Sequence, residues 1–296
     1  MENDNKKISQ PCAVCGEATH SFYAKKNNCI VYRCDICRTL SMFPVPSVAA
    51  IEAVYGQEYF SGAGKGFGYV DYDVDKQAMT GTFERHLIRF EKMRGAAGRL
   101  LDIGAATGFF MRIAANRGWE TSGVEISAYA AELGRSRGLH IETGSLSATS
   151  FSAQSFDLIT MWDVIEHFPD PISDIKKAAS LLKPGGLLAI NTPDSGSLFA
   201  KIMGGHWHLL VPPEHIHYFN RPSLQGLLKK NGFDVVETGC VGKRFTLEYI
   251  VHTLYRWQKF YGWAMVLSYL TKHPTIARLA IPLNLRDNMF ILARKK

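Results

Sequence analysis

Arg99-Leu100-Leu101-Asp102-Ile103-Gly104-Ala105-Ala106-Thr107-Gly108 is the stretch on which the fold turns. Its first half reads as a short buried strand. The second half is a run of small residues, which let a backbone turn sharply and approach a ligand closely. From Phe109 to Arg117 the apolar spacing becomes helical. The loop lacks the third glycine of the dinucleotide fingerprint, so a pyrophosphate is not the group its spacing suits. Working outward, apolar runs at 100–103, 120–126, 156–161 and 187–191 alternate with helical stretches at 109–117, 127–137 and 172–182. Strands that alternate with helices predict an α/β architecture, a Rossmann-like parallel sheet covered on both faces.

Two carboxylates stand at strand ends. Asp102 closes the first strand, and Glu125 closes Thr121-Ser122-Gly123-Val124-Glu125, 23 positions later. A carboxylate at the first position can meet a ligand's ammonium group, and one at the second can accept from both hydroxyls of a ribose. Each taken alone reads equally well as a helix cap or a solvated strand end. The order of the later motifs separates the readings: Gly144-Ser145-Leu146, then Ser155 through Trp162-Asp163-Val164-Ile165-Glu166-His167-Phe168, then Leu181-Leu182-Lys183-Pro184-Gly185-Gly186-Leu187.

Over about residues 55–240 this series resembles the class I S-adenosylmethionine-dependent methyltransferases, in particular the small-molecule group that includes ubiquinone-biosynthesis O-methyltransferases. The resemblance implies a seven-stranded, mostly parallel sheet with an antiparallel last strand, for which Asn288 to Arg294 is the candidate, preceded by a helical insertion. It implies cofactor contacts at Asp102, Gly104, Ala105, Gly108, Phe109, Glu125, Ile126, Ser145, Leu146, Met161, Trp162 and Asp163. Many relatives carry an acidic residue where Ser145 stands, so the adenine contact departs from the pattern. In ubiquinone-type relatives a divalent ion is associated with a carboxylate–carboxylate–histidine set, which here falls on Asp163, Glu166 and His167.

Cys12-x2-Cys15 and Cys34-x2-Cys37, 18 residues apart, have the spacing of a four-cysteine zinc ribbon. Cys15-Gly16 supplies the small residue that the knuckle turn favours, whereas Cys37-Arg38 does not. Disulfides are the competing reading. With no apolar core behind Met1 to Lys7, a cytoplasmic, reducing setting is expected, and that favours thiolate–metal bonds. The ribbon reads as a closed structural staple, and Cys29 and Cys240 read as small apolar residues.

Methyl transfer is an in-line displacement at an activated sulfonium, so the protein supplies alignment and, for hydroxyl acceptors, a base. Histidine titrates in the right range for that role. Candidates are His167 and the cluster His206-Trp207-His208 with Pro213-Glu214-His215-Ile216-His217, in which His215 is the first choice on the acceptor side. The cluster could also be a metal centre; its position after the fifth strand resembles a loop that closes over the acceptor.

These features divide the chain into a ribbon (10–43), a linker with a first helix (44–98), the cofactor-binding core (99–243) and a helical lid with the last strand (244–296). In the linker, Asp75 to Met93 reads as one helix, and Gly62 to Tyr69 as a flap rather than a phosphate loop, since it follows no strand and opens no helix. Leu247, Ile250, Val251, Leu254, Trp257 and Tyr261 recur at helical spacing. Glu248, His252, Arg256 and Lys259 interrupt that stretch, so it does not predict a bilayer span.

The net charge of +7 is divided unevenly: residues 1–43 carry +2, 44–220 carry −4 and 221–296 carry +9. Joined to the aromatic residues of the helix, this suggests either a lid over the acceptor or peripheral contact with an anionic membrane. The acceptor class expected is a small molecule, a sugar or a lipid-linked precursor. A nucleic-acid methyltransferase is disfavoured: the residues after the fourth strand are Asp163-Val164-Ile165-Glu166, not an amino-methylation motif, and no cysteine is placed as an RNA nucleophile. A non-catalytic cofactor-binding scaffold is the remaining alternative.

Overall fold

The structure is a computed structural model that describes residues 7–61, 72–258 and 261–296. The flap reading at Gly62 to Tyr69 falls on residues outside the described ones. At the amino-terminal end lie four strands, β1 (Ile8–Ser9), β2 (Thr19–Lys26), β3 (Cys29–Cys34) and β4 (Leu40–Phe43). Four helices follow, α1 (Val48–Val54), α2 (Gln57–Ser61), α3 (Tyr72–Gln77) and α4 (Thr80–Arg94). The reading of Asp75 to Met93 as one helix is corrected here: the chain breaks at Ala78-Met79, where the buried Met79 turns into the core beside Phe83.

The alternating pattern then appears as β5 (Arg99–Ile103), α5 (Phe109–Ala115), β6 (Glu120–Glu125), α6 (Ala128–Ser136), β7 (His140–Thr143), β8 (Phe156–Trp162), α7 (Pro171–Leu181) and β9 (Leu182–Pro193). After it come α8 (Leu198–Met203), β10 (His217–Tyr218), α9 (Arg221–Lys230) and β11 (Phe233–Cys240). The insertion comprises β12 (Lys243–Thr246), α10 (Leu247–Gln258), α11 (Tyr261–Lys272), α12 (Pro274–Ala277) and β13 (Ala280–Leu283), and β14 (Asn288–Lys295) ends the fold.

The main sheet has the order β11-β14-β9-β8-β5-β6-β7. β5 pairs in parallel with β6 and β8, and β14 runs antiparallel between β9 and β11. The resemblance had implied seven strands and an antiparallel last one; both are present. β7 has no apolar run because only Ile141 among its four residues is buried.

Side-chain alternation along the central strands splits the core into two layers. Leu101, Ile103, Ile159, Met161, Leu188 and Ile190 fill one layer; Leu100, Leu158, Leu187, Ala189 and Phe290 meet α4 and α5 in the other. Parallel strands buried on both faces read as continuous apolar runs, which is why these strands were visible in the sequence. The loops at the carboxyl ends of β5, β6 and β8 therefore open on one rim, where open α/β sheets place their ligands.

The ribbon segment is not self-contained. Its sheet has the order β1-β2-β3-β4-β10, so its last strand comes from the loop between α8 and α9. The insertion folds largely on itself, with Val251, Leu270 and Ala277 as its buried centre and Leu247, Trp263 and Leu267 around them. The helical spacing expected from Leu247 to Tyr261 falls on α10 and the start of α11, and among the described residues no helix is long and apolar enough to cross a membrane.

Candidate active site

The β5–α5 loop requires its glycines. Gly104 has φ +71° and Gly108 φ +77°, the left-handed region where a side chain is strained. A Cβ on Gly104 would lie 2.4 Å from Val164 Cγ2, and one on Gly108 would lie 2.0 Å from Leu139 Cδ1. Between them, Ala106 adopts φ +49° and gives its N–H to Glu125 Oε2 at 2.8 Å. The other oxygen of Glu125 accepts from Ser127 N at 2.8 Å. Glu125 thus joins the loop after β5 to the start of α6, with further carboxylate lone pairs to offer, since each oxygen accepts more than one bond.

Asp102 is buried and accepts from Thr160 Oγ1 at 2.6 Å. Burial pushes its carboxyl up to about 7, with the Thr160 hydroxyl opposing, the Glu125 charge adding to the rise and Lys76 of α3 opposing it. Burial also raises Glu125, against the N–H groups that bond it. Two carboxylates buried side by side are costly to ionise unless a counter-charge or further donors meet them. A ligand that brings an ammonium and a pair of hydroxyls to this rim satisfies both.

Of the remaining sequence-chosen positions, Phe109 and Leu146 are buried, and Ser145 follows β7 with its Oγ 2.9 Å from Ser147 Oγ. Met161 and Trp162 enter opposite core layers. The Trp162 ring lies 5.1 Å from Phe83 and 5.3 Å from both His86 and Phe110. Asp163 adopts φ +57°, and its Oδ1 accepts from Asn191 Nδ2 at 2.6 Å.

The histidines assort differently from their spacing. His217 is fully buried and held near 4, chiefly by desolvation, and its Nδ1 accepts from Ser41 Oγ at 2.9 Å. It is a neutral structural group. His208 lies 3.6 Å from Asp287, and His206 ends the short turn after α8. His167 and His215, in contrast, face each other with ring centroids 4.9 Å apart. His167 Nδ1 donates to Glu214 O at 2.7 Å, with the Tyr55 hydroxyl 2.7 Å from the same nitrogen; His215 Nδ1 donates to Leu209 O at 3.0 Å. Carbonyl oxygens only accept, so in both rings Nε2 is the basic nitrogen.

Glu166 completes this group. Ligand atoms of Glu166, His167 and His215 all lie within 4.8 Å of one another, and Asp163 is not part of the cluster. Glu166 Oε2 accepts from Thr192 Oγ1 at 2.8 Å, while the buried Oε1 has no hydrogen-bond partner among the described residues. Desolvation pushes this carboxyl up to about 7, with the His167 charge opposing. Tyr55, which meets His167, also packs with Phe60 against Ala106, so the cluster lies beside the cofactor loop.

The linker helices, which carried no functional expectation, cover that rim. Phe60 of α2 packs on Ala106 and Ala130, Tyr59 donates to Glu214 Oε1 at 2.8 Å, and Asp73 of α3 accepts from Thr107 Oγ1 at 2.7 Å. No local signal marks Tyr55, Tyr59 or Asp73, because their partners lie far along the chain.

Cys12, Cys15, Cys34 and Cys37 form one cluster and no disulfide. The Cys12–Cys37 and Cys15–Cys34 sulfurs are 3.6 Å apart, far beyond an S–S bond and close to the ~3.8 Å edge of a tetrahedron with 2.3 Å metal–sulfur bonds. The donor set fits zinc. Arg38 takes φ +63° where the first knuckle has Gly16 at +86°, so the missing glycine is tolerated as a strained arginine. Cys240 is not apolar filler: its sulfur lies 2.8 Å from Arg221 Nη2.

A small-residue loop between two buried carboxylates, on the rim of this seven-stranded sheet, defines a class I S-adenosylmethionine-dependent methyltransferase. The chain belongs to the methyltransferase domain family, whose model matches residues 76–238. It is similar to the ubiquinone biosynthesis O-methyltransferase of Saccharophagus degradans, at 30% identity over 161 residues that cover 50% of this chain and 68% of that protein. It is also similar to the protein of the same name from Vibrio cholerae serotype O1, at 29% identity over 189 residues, 55% and 77% of the two chains. Among solved structures, the YcgJ protein from Bacillus subtilis shares the fold with a TM-score of 0.51 at 17% identity, over 72% of this chain and 99% of that one.

Proposed function

We propose that this enzyme methylates a hydroxyl of a small-molecule, sugar or lipid-linked acceptor, with His215 as the base and His167 beside it. The observation that carries this reading is the tautomer imposed on both rings: each Nδ1–H is spent on a main-chain carbonyl, so each Nε2 is the nitrogen that accepts a proton. The bound cofactor supplies an electrophilic methyl. Asp102 would hold its ammonium and Glu125 its ribose, while Gly104, Ala105, Gly108, Phe109, Ile126, Ser145, Leu146, Met161, Trp162 and Asp163 would shape the remaining surface. The relatives named above are O-methyltransferases, which supports oxygen as the acceptor atom. The test is His215→Ala assayed with extract-derived acceptors: loss of about 100-fold in turnover with cofactor affinity kept is the expected result, and unchanged turnover would refute the assignment.

A second reading of the same cluster puts a divalent cation on Glu166, His167 and His215. It is favoured by Glu166 Oε1, which has no partner among the described residues, and by the carbonyl-bound Nδ1 atoms, an outer bonding pattern typical of metal-ligating histidines. Such an ion would lower the acceptor hydroxyl's affinity for its proton. Mn2+ binding followed by paramagnetic resonance, lost in His215→Ala while the ribbon keeps its zinc, separates this from the base reading.

We also propose peripheral membrane contact through the insertion. Residues 249–286 contain no Asp or Glu, and Met265, Tyr269, Ile276 and Leu279 are exposed near Lys272 and Arg278. Apolar side chains set among cations suit an anionic lipid surface.

A further inference from the structure

The loop that carries His215 is held from outside the methyltransferase core. It joins β9 to α9 over residues 194–220, long enough that a defined path needs external contacts. The ribbon supplies them. β10 pairs with β4 at His217↔Ser41 and Tyr218↔Leu40, and Met42 N donates to Ile216 O at 2.8 Å. Lys26 Nζ donates to Trp207 O at 2.9 Å, and Asn27 Nδ2 to Pro212 O at 2.8 Å. Ser41 Oγ donates to His217 Nδ1, whose opposite nitrogen reaches Pro169 O at 3.5 Å.

The metal knuckles touch the same strip. Asn220 Nδ2 donates to Cys37 O at 2.9 Å while its Oδ1 caps α9 by accepting from Ser223 N at 2.9 Å. Beneath these bonds, Trp207, Leu210 and Tyr218 share a buried apolar cluster with Ala24, Val31 and Leu40 of the ribbon. Contacts at 207, 212, 216, 217 and 220 thus bracket Glu214 and His215, the two loop residues that meet Tyr59 and His167.

We propose that the four-cysteine module is a positioning element of the methyl-transfer site: through Lys26, Asn27, Ser41 and the Cys37 carbonyl it fixes the 207–220 strip so that His215 faces His167. The zinc that the cysteines fit does no chemistry on the acceptor; it keeps the β3–β4 knuckle in the shape that Asn220 reads. The role in turnover rests on the acceptor-side reading of His215, whereas the role in ordering the loop does not.

The experiment compares wild type with the double variant Lys26→Met/Asn27→Ala in the full-length, zinc-loaded protein. Hydrogen–deuterium exchange is read on peptides covering 207–217 and 100–110, together with zinc content, adenosylmethionine affinity by calorimetry and extract-supported formation of S-adenosylhomocysteine. The expected result is at least tenfold faster exchange confined to 207–217, zinc content kept, cofactor affinity within twofold and product formation at least tenfold lower; restoring Lys26 as Arg with Asn27 intact recovers the slow exchange. Unchanged exchange at 207–217, or a parallel loss of cofactor affinity and of protection at 100–110, overturns the proposal. Faster loop exchange with full product formation keeps the ordering role and refutes the acceptor-side reading alone. Cys37→Ser, where it folds, is expected to give the same confined pattern.

Discussion

Replacing Asp102 by asparagine should make the cofactor-free protein more stable while disabling it. The carboxyl ordinarily titrates near 3.8 and is pushed up to about 7, chiefly by burial. An acid whose folded value is raised binds more protons in the folded state than in the unfolded one between these limits. Stability conferred by the neutral form is therefore complete below about pH 4 and is lost as pH rises toward 7. A shift of this size corresponds to roughly 4 kcal/mol, an upper bound because Glu125 shares the same pocket. The asparagine side chain keeps an oxygen that can accept from Thr160 but carries no charge.

At pH 8 the variant should melt at least about 5 °C above wild type, the gap closing on acidification to pH 4. Cofactor binding should show the converse. Wild-type affinity rises with pH up to about 7 as the carboxylate forms, and Asp102→Asn weakens binding by about 10- to 100-fold through loss of a charge-assisted hydrogen bond. Calorimetric melting over pH 4–8 and titration calorimetry with adenosylmethionine measure the two arms. A variant that is less stable than wild type at pH 8, with wild-type stability flat between 4 and 7, would show that Asp102 is not a strained buried acid.

Three further outcomes are expected. Gly108→Ala, strained by φ +77° and by contact with Leu139, should cost about 2 kcal/mol or more in urea unfolding and weaken cofactor binding; a neutral effect would mean that Leu139 moves aside freely. His86, held near 4 by burial and by Arg89 and Arg85, is protonated more readily in the unfolded chain, so its contribution to stability falls by up to about 3 kcal/mol as pH drops from 6.5 to 4. His86→Phe should flatten that acid limb, measured by urea midpoints at several pH values. The full-length protein should float with phosphatidylglycerol vesicles at low salt and not with phosphatidylcholine vesicles, and Lys272→Glu/Arg278→Glu should abolish flotation; absence of wild-type flotation removes the membrane reading.

What the sequence determined by itself is the part of the molecule written in local periods. β5, β8 and β9 were legible because strands buried on both faces carry nearly continuous apolar runs, and the cofactor loop because a turn at φ +71° and +77° against Val164 and Leu139 leaves no room for a side chain. The cysteine pairs were legible because a metal knuckle is a local turn.

The tertiary structure decided which of the many histidines matter. The spacing made His206, His208, His215 and His217 members of one cluster, and only the returning chain buries His217 against Ser41 while turning His215 toward His167. Tyr55 reaches His167 across 112 positions, Tyr59 reaches Glu214 across 155, and Ser41 reaches His217 across 176. Such pairs have no period or spacing to betray them, because each exists only once the sheet has brought distant loops to one rim and the ribbon has closed its own sheet with a strand borrowed from the loop between α8 and α9.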